Sequence, residues 1–175
     1  MTRIPLVSST GGYQLCSTNR TVRSARCTLI HQYRHAIGRR LWEFPAGLLG
    51  IAGEDPLETA RRERAEEAGL VAEGWSVLID VASSPGFTDE VVRVYLVTGL
   101  SAVDREVLGD EEADLVCRSV PLDEAARMAL RGEIVNGPAA GGILTAHVVR
   151  SGVAGLRQAG ADWPDRPRRF ASRSH

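Results

Sequence analysis

One short acidic segment limits what this chain can fold into, because it carries signals for both ends of a helix. Asp55 suits the N-cap, since its side chain can accept a hydrogen bond from a backbone N–H of the first turn. Pro56 follows at the first helical position, and Glu58 stands three residues after the cap, as in a capping box. Gly69 suits the left-handed residue that closes a helix. The segment predicts a helix over 56–68.

Two patterns of period two after this helix predict strands. Apolar and polar side chains alternate in Trp75–Ala82 and Val91–Thr98, as in strands with one buried face. The turn-rich sequence SSPGFTDE, residues 83–90, joins them. Further strands are predicted at 25–33 and 115–120, further helices at 122–130 and 138–151, and a basic loop from Arg34 to Arg40. Strands interleaved with helices favour an α/β or α+β sandwich over a helical bundle.

The two ends of the chain carry weaker patterns. Residues 1–25 are rich in Ser, Thr, Gly and Arg with little periodicity, so we expect a poorly ordered segment or a disrupted strand region. The C-terminal stretch around WPDRPRRF predicts an irregular tail. We therefore divide the chain into an N-terminal segment, 1–25, and one domain over 26–170, which is long enough to bury a core.

Composition excludes several classes of function. With 21 basic and 22 acidic residues the formal charge is −1, so no global basic field can hold nucleic acid. Every basic residue is arginine, which excludes P-loop and Schiff-base enzymes because both need a lysine.

Cysteine use and hydropathy predict a cytoplasmic protein. The 3 cysteines form no CxxC pair, which argues against a disulfide framework or a zinc ribbon. No stretch is long and apolar enough to span a membrane, and residues 1–20 lack the apolar core of a secretory signal. We therefore expect no membrane partner.

The predicted helix carries a cluster of glutamates. Glu63, Glu66 and Glu67 are spaced i, i+3 and i+4, so they project from one side of the helix. Such a cluster repels itself, and a hard divalent cation such as Mg²⁺ or Mn²⁺ would neutralise it while leaving room for water and phosphate. A solvated acidic face paired with neighbouring arginines explains the same spacing, so the helix alone leaves both interpretations open.

The sequence around this cluster resembles the Nudix box, the signature of the Nudix hydrolase family. The resemblance rests on GLLGIAGE at 47–54 and RERAEEAGL at 62–70. It implies a Nudix-type α/β/α sandwich with a mixed sheet. It also implies an enzyme that uses bound divalent metal and water to cleave a small-molecule nucleoside diphosphate derivative.

The resemblance also implies roles for individual residues. Glu63 and Glu67 match the metal ligands of the family, and Glu66 supports or joins them. Arg62 matches the residue that orients these carboxylates, and the backbone carbonyl of Ala46 is a further candidate ligand. The implied cofactor is Mg²⁺, with Mn²⁺ as a possible substitute.

Two positions depart from the family pattern. The loop between Gly47 and Glu54 is one residue longer than in the family, which leaves the helical spacing unchanged. Arg64 stands where the family places an aliphatic residue, on the face with Leu57 and Ala60 that we expect to pack on the sheet. Its guanidinium must therefore snorkel or find a partner.

Further segments resemble the ADP-ribose pyrophosphatase branch of the family, particularly its actinobacterial members. Pro85 stands fifteen residues after Leu70, like a proline that marks that branch, and residues 32–49, 84–100 and 110–115 resemble it too. The branch implies hydrolysis of ADP-ribose to AMP and ribose 5-phosphate by a homodimer with intertwined N-terminal regions. Residues 1–25 do not recognisably match that region, so the expected dimer depends on them.

The branch resemblance and side-chain chemistry together give the remaining candidates. Glu112 is the predicted base for the attacking water, with Glu111 as the second choice. The candidate substrate-binding residues are Arg34 and Arg39–Arg40, whose guanidinium forks suit phosphate or ribose oxygens, Glu43, which resembles a contact of the terminal ribose, and Pro85.

Two alternatives stay open at this point. A related hydrolase could act on another nucleotide sugar or a dinucleotide, and a Nudix-fold module could bind a nucleotide without hydrolysing it. The presence of both Glu63 and Glu67 favours an enzyme, whereas the N-terminal segment 1–25 favours the binding module.

Overall fold

A computed structural model describes residues 12–15, 25–46, 55–68, 70–102 and 116–166. In chain order they form β1 (Gly12–Leu15), β2 (Arg26–Arg34), β3 (Arg39–Glu43), α1 (Pro56–Ala68), β4 (Leu70–Ala82), β5 (Val91–Ala102), β6 (Val116–Pro121), α2 (Leu122–Leu130), α3 (Gly137–Arg150) and β7 (Arg157–Gln158). Each predicted helix and strand is present. The predicted basic loop is shorter than expected, because its turn covers 35–38 and the strand β3 already begins at Arg39.

The strands form two sheets. The larger has the order β1-β5-β4-β7 and is mixed, because β1 runs parallel to β5 while the other pairs are antiparallel. The smaller has the order β3-β2-β6 and is antiparallel. One strand of the segment 1–25 thus joins a sheet, while most of that segment lies outside the described residues. No described helix is long and apolar enough to cross a membrane.

Different helices cover the two faces of the larger sheet. Side chains alternate along β5, so Val92 and Val94 face one side and Tyr95 faces the other. Val92 and Val94 belong to the main core, with residues of α2, α3 and the smaller sheet. Tyr95 packs with Val77 of β4 and Ala60 of α1. The sheet therefore lies between α1 and α3, which confirms the α/β/α sandwich.

A buried arginine attaches the C-terminal segment to the sheet. Arg93 is 3% exposed and donates to both carboxylate oxygens of Asp80, at 2.8 and 3.1 Å. It also donates to the backbone carbonyls of Ala161 at 2.7 Å and Asp162 at 2.9 Å. Its guanidinium carbon lies 4.5 Å from the ring centroid of Trp163. The predicted irregular tail is thus a packed segment at least as far as Trp163, which is buried.

Asp80 accepts from two arginines, because Arg157 Nη1 also donates to it at 2.9 Å. Burial raises the pKa of Asp80, but the hydrogen bonds and charges of Arg93 and Arg157 outweigh burial and hold this pKa below its usual value. Because the folded pKa is the lower one, the ionised carboxylate stabilises the fold above the unfolded pKa. That contribution is lost as the pH falls through the folded pKa.

The arginine that departs from the family pattern lies inside the protein. Arg64 is 4% exposed, on the buried side of α1 with Thr59 and Ala60, which are 0% and 3% exposed. Its guanidinium therefore does not snorkel to the surface. Of the two outcomes expected for this position, snorkelling or pairing with a partner, the burial of Arg64 excludes the first.

Gly142 of α3 has no room for a side chain, whereas its neighbour Gly141 has. A Cβ at Gly142 would lie 2.8 Å from Phe44 Cε2 and 3.0 Å from Val94 Cγ1, and both residues are in the core. A Cβ at Gly141 would meet only Val81 Cγ2, at 3.9 Å. The helix α3 thus approaches Phe44, which follows β3, more closely than an alanine would allow.

We expect Gly142→Ala to lower the free energy of unfolding by about 1–2 kcal/mol, since overpacking a filled core outweighs the gain in helix propensity. The matched variant Gly141→Ala should raise it by about 0.5–1 kcal/mol through propensity alone. Urea unfolding of both variants measures the difference. Equal effects of the two substitutions would contradict the close packing at Gly142.

Candidate active site

The predicted start of the acidic helix is confirmed. Asp55 Oδ1 accepts from the backbone N–H of Leu57 at 2.8 Å, and the Asp55 carbonyl accepts from the backbone N–H of Thr59 at 3.0 Å. Asp55 is therefore the N-cap. Glu58 forms an ion pair with Arg61, with Nη1 and Oε1 2.6 Å apart. The first turn is thus fixed by its cap and by a pair on its exposed side.

The helical backbone of α1 is continuous through positions 63, 66 and 67. These positions therefore lie on one side of the helix, within one turn of each other. Their side chains and Gly69 lie outside the described residues, so the metal-ligand roles of Glu63 and Glu67 and the supporting role of Glu66 stay predictions. Arg62, the predicted orienting residue, is half-buried on the same helix.

The donor chemistry of this helix suits a hard divalent ion. Carboxylate and backbone carbonyl oxygens are the ligands preferred by such ions, and the helix and Ala46 are the predicted sources of them. Ala46 is half-buried just after β3. Among the described side chains no group of three or more His, Cys, Asp or Glu could hold a metal ion. Glutamates at 63, 66 and 67 have the donor chemistry that such an ion needs, and their role as the donor set stays a prediction.

Three of the predicted substrate-binding residues stand on one face of the β2–β3 hairpin. Arg34 is opposite Arg39, and Ile30 is opposite Glu43, in the antiparallel register. Opposite residues share a face, and so do residues two apart on one strand. Arg34, Arg39 and Glu43 therefore lie on the same side of the smaller sheet.

Arg34 and Glu43 form a two-pronged ion pair. Arg34 Nε donates to Glu43 Oε1 at 2.9 Å, and Arg34 Nη2 donates to Glu43 Oε2 at 2.6 Å. The Glu43 side chain is 3% exposed and that of Arg34 is 43% exposed. Glu43 thus fixes the plane of a guanidinium that is partly exposed to solvent. A guanidinium that is oriented in this way is suited to bind phosphate oxygens.

The register separates Arg40 from this group. Arg40 lies opposite Tyr33, on the other face of the hairpin, and its Nη1 donates to the backbone carbonyl of His31 at 3.2 Å. His31 stacks on Trp42, with ring centroids 4.4 Å apart. The candidate pair Arg39–Arg40 therefore splits, and only Arg39 shares the face of Arg34.

The remaining candidates are Pro85, which lies on a described loop, and the pair Glu111 and Glu112. Pro85 is exposed in the turn that joins β4 and β5, where the side chain of Phe87 is 92% exposed. Glu112, the predicted base, and Glu111 lie outside the described residues. Their assignment therefore stays a prediction.

Sequence reasoning missed the network around Arg93. The signal was present in the alternation of β5, where Arg93 takes the same face as the buried residues Tyr95 and Val97. Asp80 stands opposite Arg93 in the β4–β5 register. An arginine at an inward position with an acidic residue on the neighbouring strand indicates a buried ion pair. The hydrogen bonds of Arg93 to backbone carbonyls of the C-terminal segment leave no such pattern in the sequence.

Comparison with known proteins decides the family. A match to the NUDIX domain covers residues 15–139. The chain belongs to the NUDIX family. This range contains β2 to α2 with the acidic helix, and Nudix hydrolases generally use divalent metal ions, in agreement with the donor set of α1.

Two curated relatives and one solved structure extend this Nudix assignment. An ADP-ribose pyrophosphatase of Mycobacterium tuberculosis (strain ATCC 25618 / H37Rv) is 54% identical over 145 residues, which are 83% of this chain and 70% of that protein. An ADP-ribose pyrophosphatase of Bacillus subtilis (strain 168) is 34% identical over 106 residues, 61% of this chain and 57% of that protein. A crystal structure of an ADP compounds hydrolase matches the fold with a TM-score of 0.67 at 18% identity, over 82% of this chain and 73% of that one.

We expect Glu43→Gln to lower the free energy of unfolding by about 1–2 kcal/mol, because a buried carboxylate loses its charge and one prong of the pair with Arg34. The exposed pair of Glu58 and Arg61 provides the control, and Glu58→Gln should cost about 0–1 kcal/mol. Urea unfolding measures both. If the two variants were equally stable, the Arg34–Glu43 pair would not hold the hairpin face together.

Proposed function

We propose that this chain is a metal-dependent pyrophosphatase that hydrolyses ADP-ribose to AMP and ribose 5-phosphate. The observation that carries this proposal is the 54% identity over 145 residues with the ADP-ribose pyrophosphatase of Mycobacterium tuberculosis. The acidic helix α1 and the arginine-bearing face of the β2–β3 hairpin supply the two kinds of group that a diphosphate substrate needs. Its proposed location is the cytoplasm.

In this proposal the glutamates of α1 form the metal site. Glu63 and Glu67 hold Mg²⁺, or Mn²⁺ as a substitute, with the Ala46 carbonyl as a further ligand, while Glu66 supports them and Arg62 orients them. Bound metal would neutralise charge on the phosphate oxygens and raise the acidity of the attacking water. The continuous helical backbone from 56 to 68 supports this arrangement, since it keeps the ligands at fixed spacing.

The other residues bind substrate and move one proton. Arg34 and Arg39 bind phosphate oxygens, and Glu43 holds the Arg34 fork in its plane and borders the site of the terminal ribose. Pro85 shapes the loop beside the substrate. Glu112, or Glu111 in its place, takes a proton from water as the water oxygen attacks phosphorus. The bridging P–O bond breaks, and the two products each leave with one phosphate.

The proposal predicts that Glu67→Gln lowers kcat for AMP release from ADP-ribose by about two orders of magnitude, the scale of losing one group that stabilises the transition state. The matched control is Glu58→Gln on the same helix, because Glu58 is exposed and pairs only outward with Arg61 among the described contacts. That variant should keep the parent kcat. A parent that releases no AMP with either Mg²⁺ or Mn²⁺ would exclude the proposed function.

A homodimer is the proposed assembly, and its support is the resemblance to a branch whose members dimerise through the N-terminal region. We expect sedimentation equilibrium of the full chain to give twice the mass of one chain. A single-chain mass at micromolar concentration would exclude the dimer without excluding hydrolysis.

A further inference from the structure

The acidic helix is held to the sheet by few apolar contacts in the described part of the chain. Ala60 is buried and Leu57 partly buried against a cluster that includes Val77 and Tyr95 of the sheet. This cluster also contains Ala161, which comes from the C-terminal segment and not from the sheet. The cluster that contains Ala60 of α1 therefore includes one residue that lies about a hundred positions further along the chain.

Ala161 is fixed by Arg93. We call residues 157–163 the C-terminal strap. Arg93 Nη1 donates to the Ala161 carbonyl, and Nη2 is shared between the Asp162 carbonyl and Asp80. Trp163 covers the guanidinium from its face. One buried side chain thus holds two consecutive carbonyls and an aromatic ring of the strap, while Asp80 holds that side chain on the sheet.

Tyr95 connects the same arginine with the start of the helix. It stands two residues from Arg93 on the same face of β5 and packs in the cluster under α1. Burial raises the pKa of Tyr95 to about 12, against the opposing effect of Arg93, and the charge of Asp55 adds to the rise. The Tyr95 ring also belongs to the same cluster as Leu57, which lies in the first turn of α1. Arg93, Tyr95 and the helix start form one connected region.

We propose that Arg93 is a positioning residue for the metal-binding helix, acting through the C-terminal strap, which it holds against α1. The part of this inference that concerns metal binding rests on the proposed function. The two proposed ligand positions on the helix, 63 and 67, move together when the helix shifts, but the Ala46 carbonyl and the arginines of the hairpin do not. A loosened strap should therefore weaken metal binding, because octahedral coordination tolerates little displacement.

Two variants of the full chain disturb the strap from different sides. Trp163→Ala removes the ring that covers the guanidinium and leaves the pair of Arg93 with Asp80 in place. Arg93→Lys keeps a positive charge beside Asp80, but a single ammonium cannot reproduce the planar fork that reaches a carboxylate and two carbonyls.

Trp163→Phe retains an aromatic face and serves as the conservative variant. Arg127→Ala removes an exposed ion pair with Glu124 on α2 and is the matched control.

The first measurement is hydrogen exchange of backbone amides, which needs no metal. We expect Trp163→Ala and Arg93→Lys to speed exchange in residues 56–68 by about tenfold or more relative to α3. Such a local increase would reflect lost contacts at α1, since global unfolding would speed exchange in α3 as well. Trp163→Phe should restore most of the protection, and Arg127→Ala should leave it unchanged. Unchanged exchange in residues 56–68, or an equal rise in α3, would overturn the positioning role.

The second measurement is titration with Mn²⁺ at a temperature where every variant is folded. We expect the dissociation constant to rise by about tenfold for the two strap variants, within the range seen when supporting residues around a metal site are lost. Their kcat should fall more than KM changes. If the parent neither binds Mn²⁺ nor releases AMP, the proposed function fails while the exchange result still decides the role of Arg93. If the parent does both and the strap variants bind Mn²⁺ equally well, the link to the metal site is overturned.

Discussion

The position of the acidic helix α1 depends on how the larger sheet holds it, because the described buried side chains of this helix carry little apolar surface. Among the side chains of α1 that the structure describes, the buried ones are Thr59, Ala60 and Arg64, with Leu57 partly buried. Burying Ala and Thr removes little apolar area, so the hydrophobic contribution of these described side chains is small. Polar interactions supply part of the stability that apolar burial does not. The cap at Asp55 fixes where the helix begins, and Arg93 holds Ala161 of the C-terminal strap, which packs in the same cluster as Ala60.

Features set by neighbouring residues could be predicted from the sequence, and features set by distant ones could not. The helix 56–68 agrees residue for residue with its prediction, because the cap and the proline act locally. The strands β4 and β5 are longer than predicted, since Gly74 and Gly99 interrupt the alternation without ending the ladder. The strap escaped prediction because Arg93 and Asp162 are 69 residues apart, and a hydrogen bond to a backbone carbonyl leaves no mark on the side-chain pattern.

The candidate substrate residues show the same division. Guanidinium chemistry and the branch resemblance indicate three substrate-binding candidates one at a time: Arg34, Arg39 and Glu43. Their common face follows from the hairpin register, which could not be fixed without knowing that the turn covers only 35–38. The direct pair of Arg34 with Glu43 changes what the carboxylate can do, since both of its oxygens already accept from Arg34. Glu43 acts first by holding an arginine in place.

Charge explains why the proposed site needs both the metal-binding helix and the arginines of the β2–β3 hairpin. A diphosphate is anionic, and a cluster of carboxylates on α1 repels it unless a cation lies between them. The chain has no lysine, so beyond a metal ion this charge falls to arginine. Arg34 is well suited because its guanidinium stays ionised and is oriented by a buried partner before substrate arrives, which reduces the entropy lost on binding. In the proposed function the acidic helix and the arginine hairpin are thus complementary: the helix would need a metal ion to approach phosphate, and the hairpin arginines would bind phosphate without one.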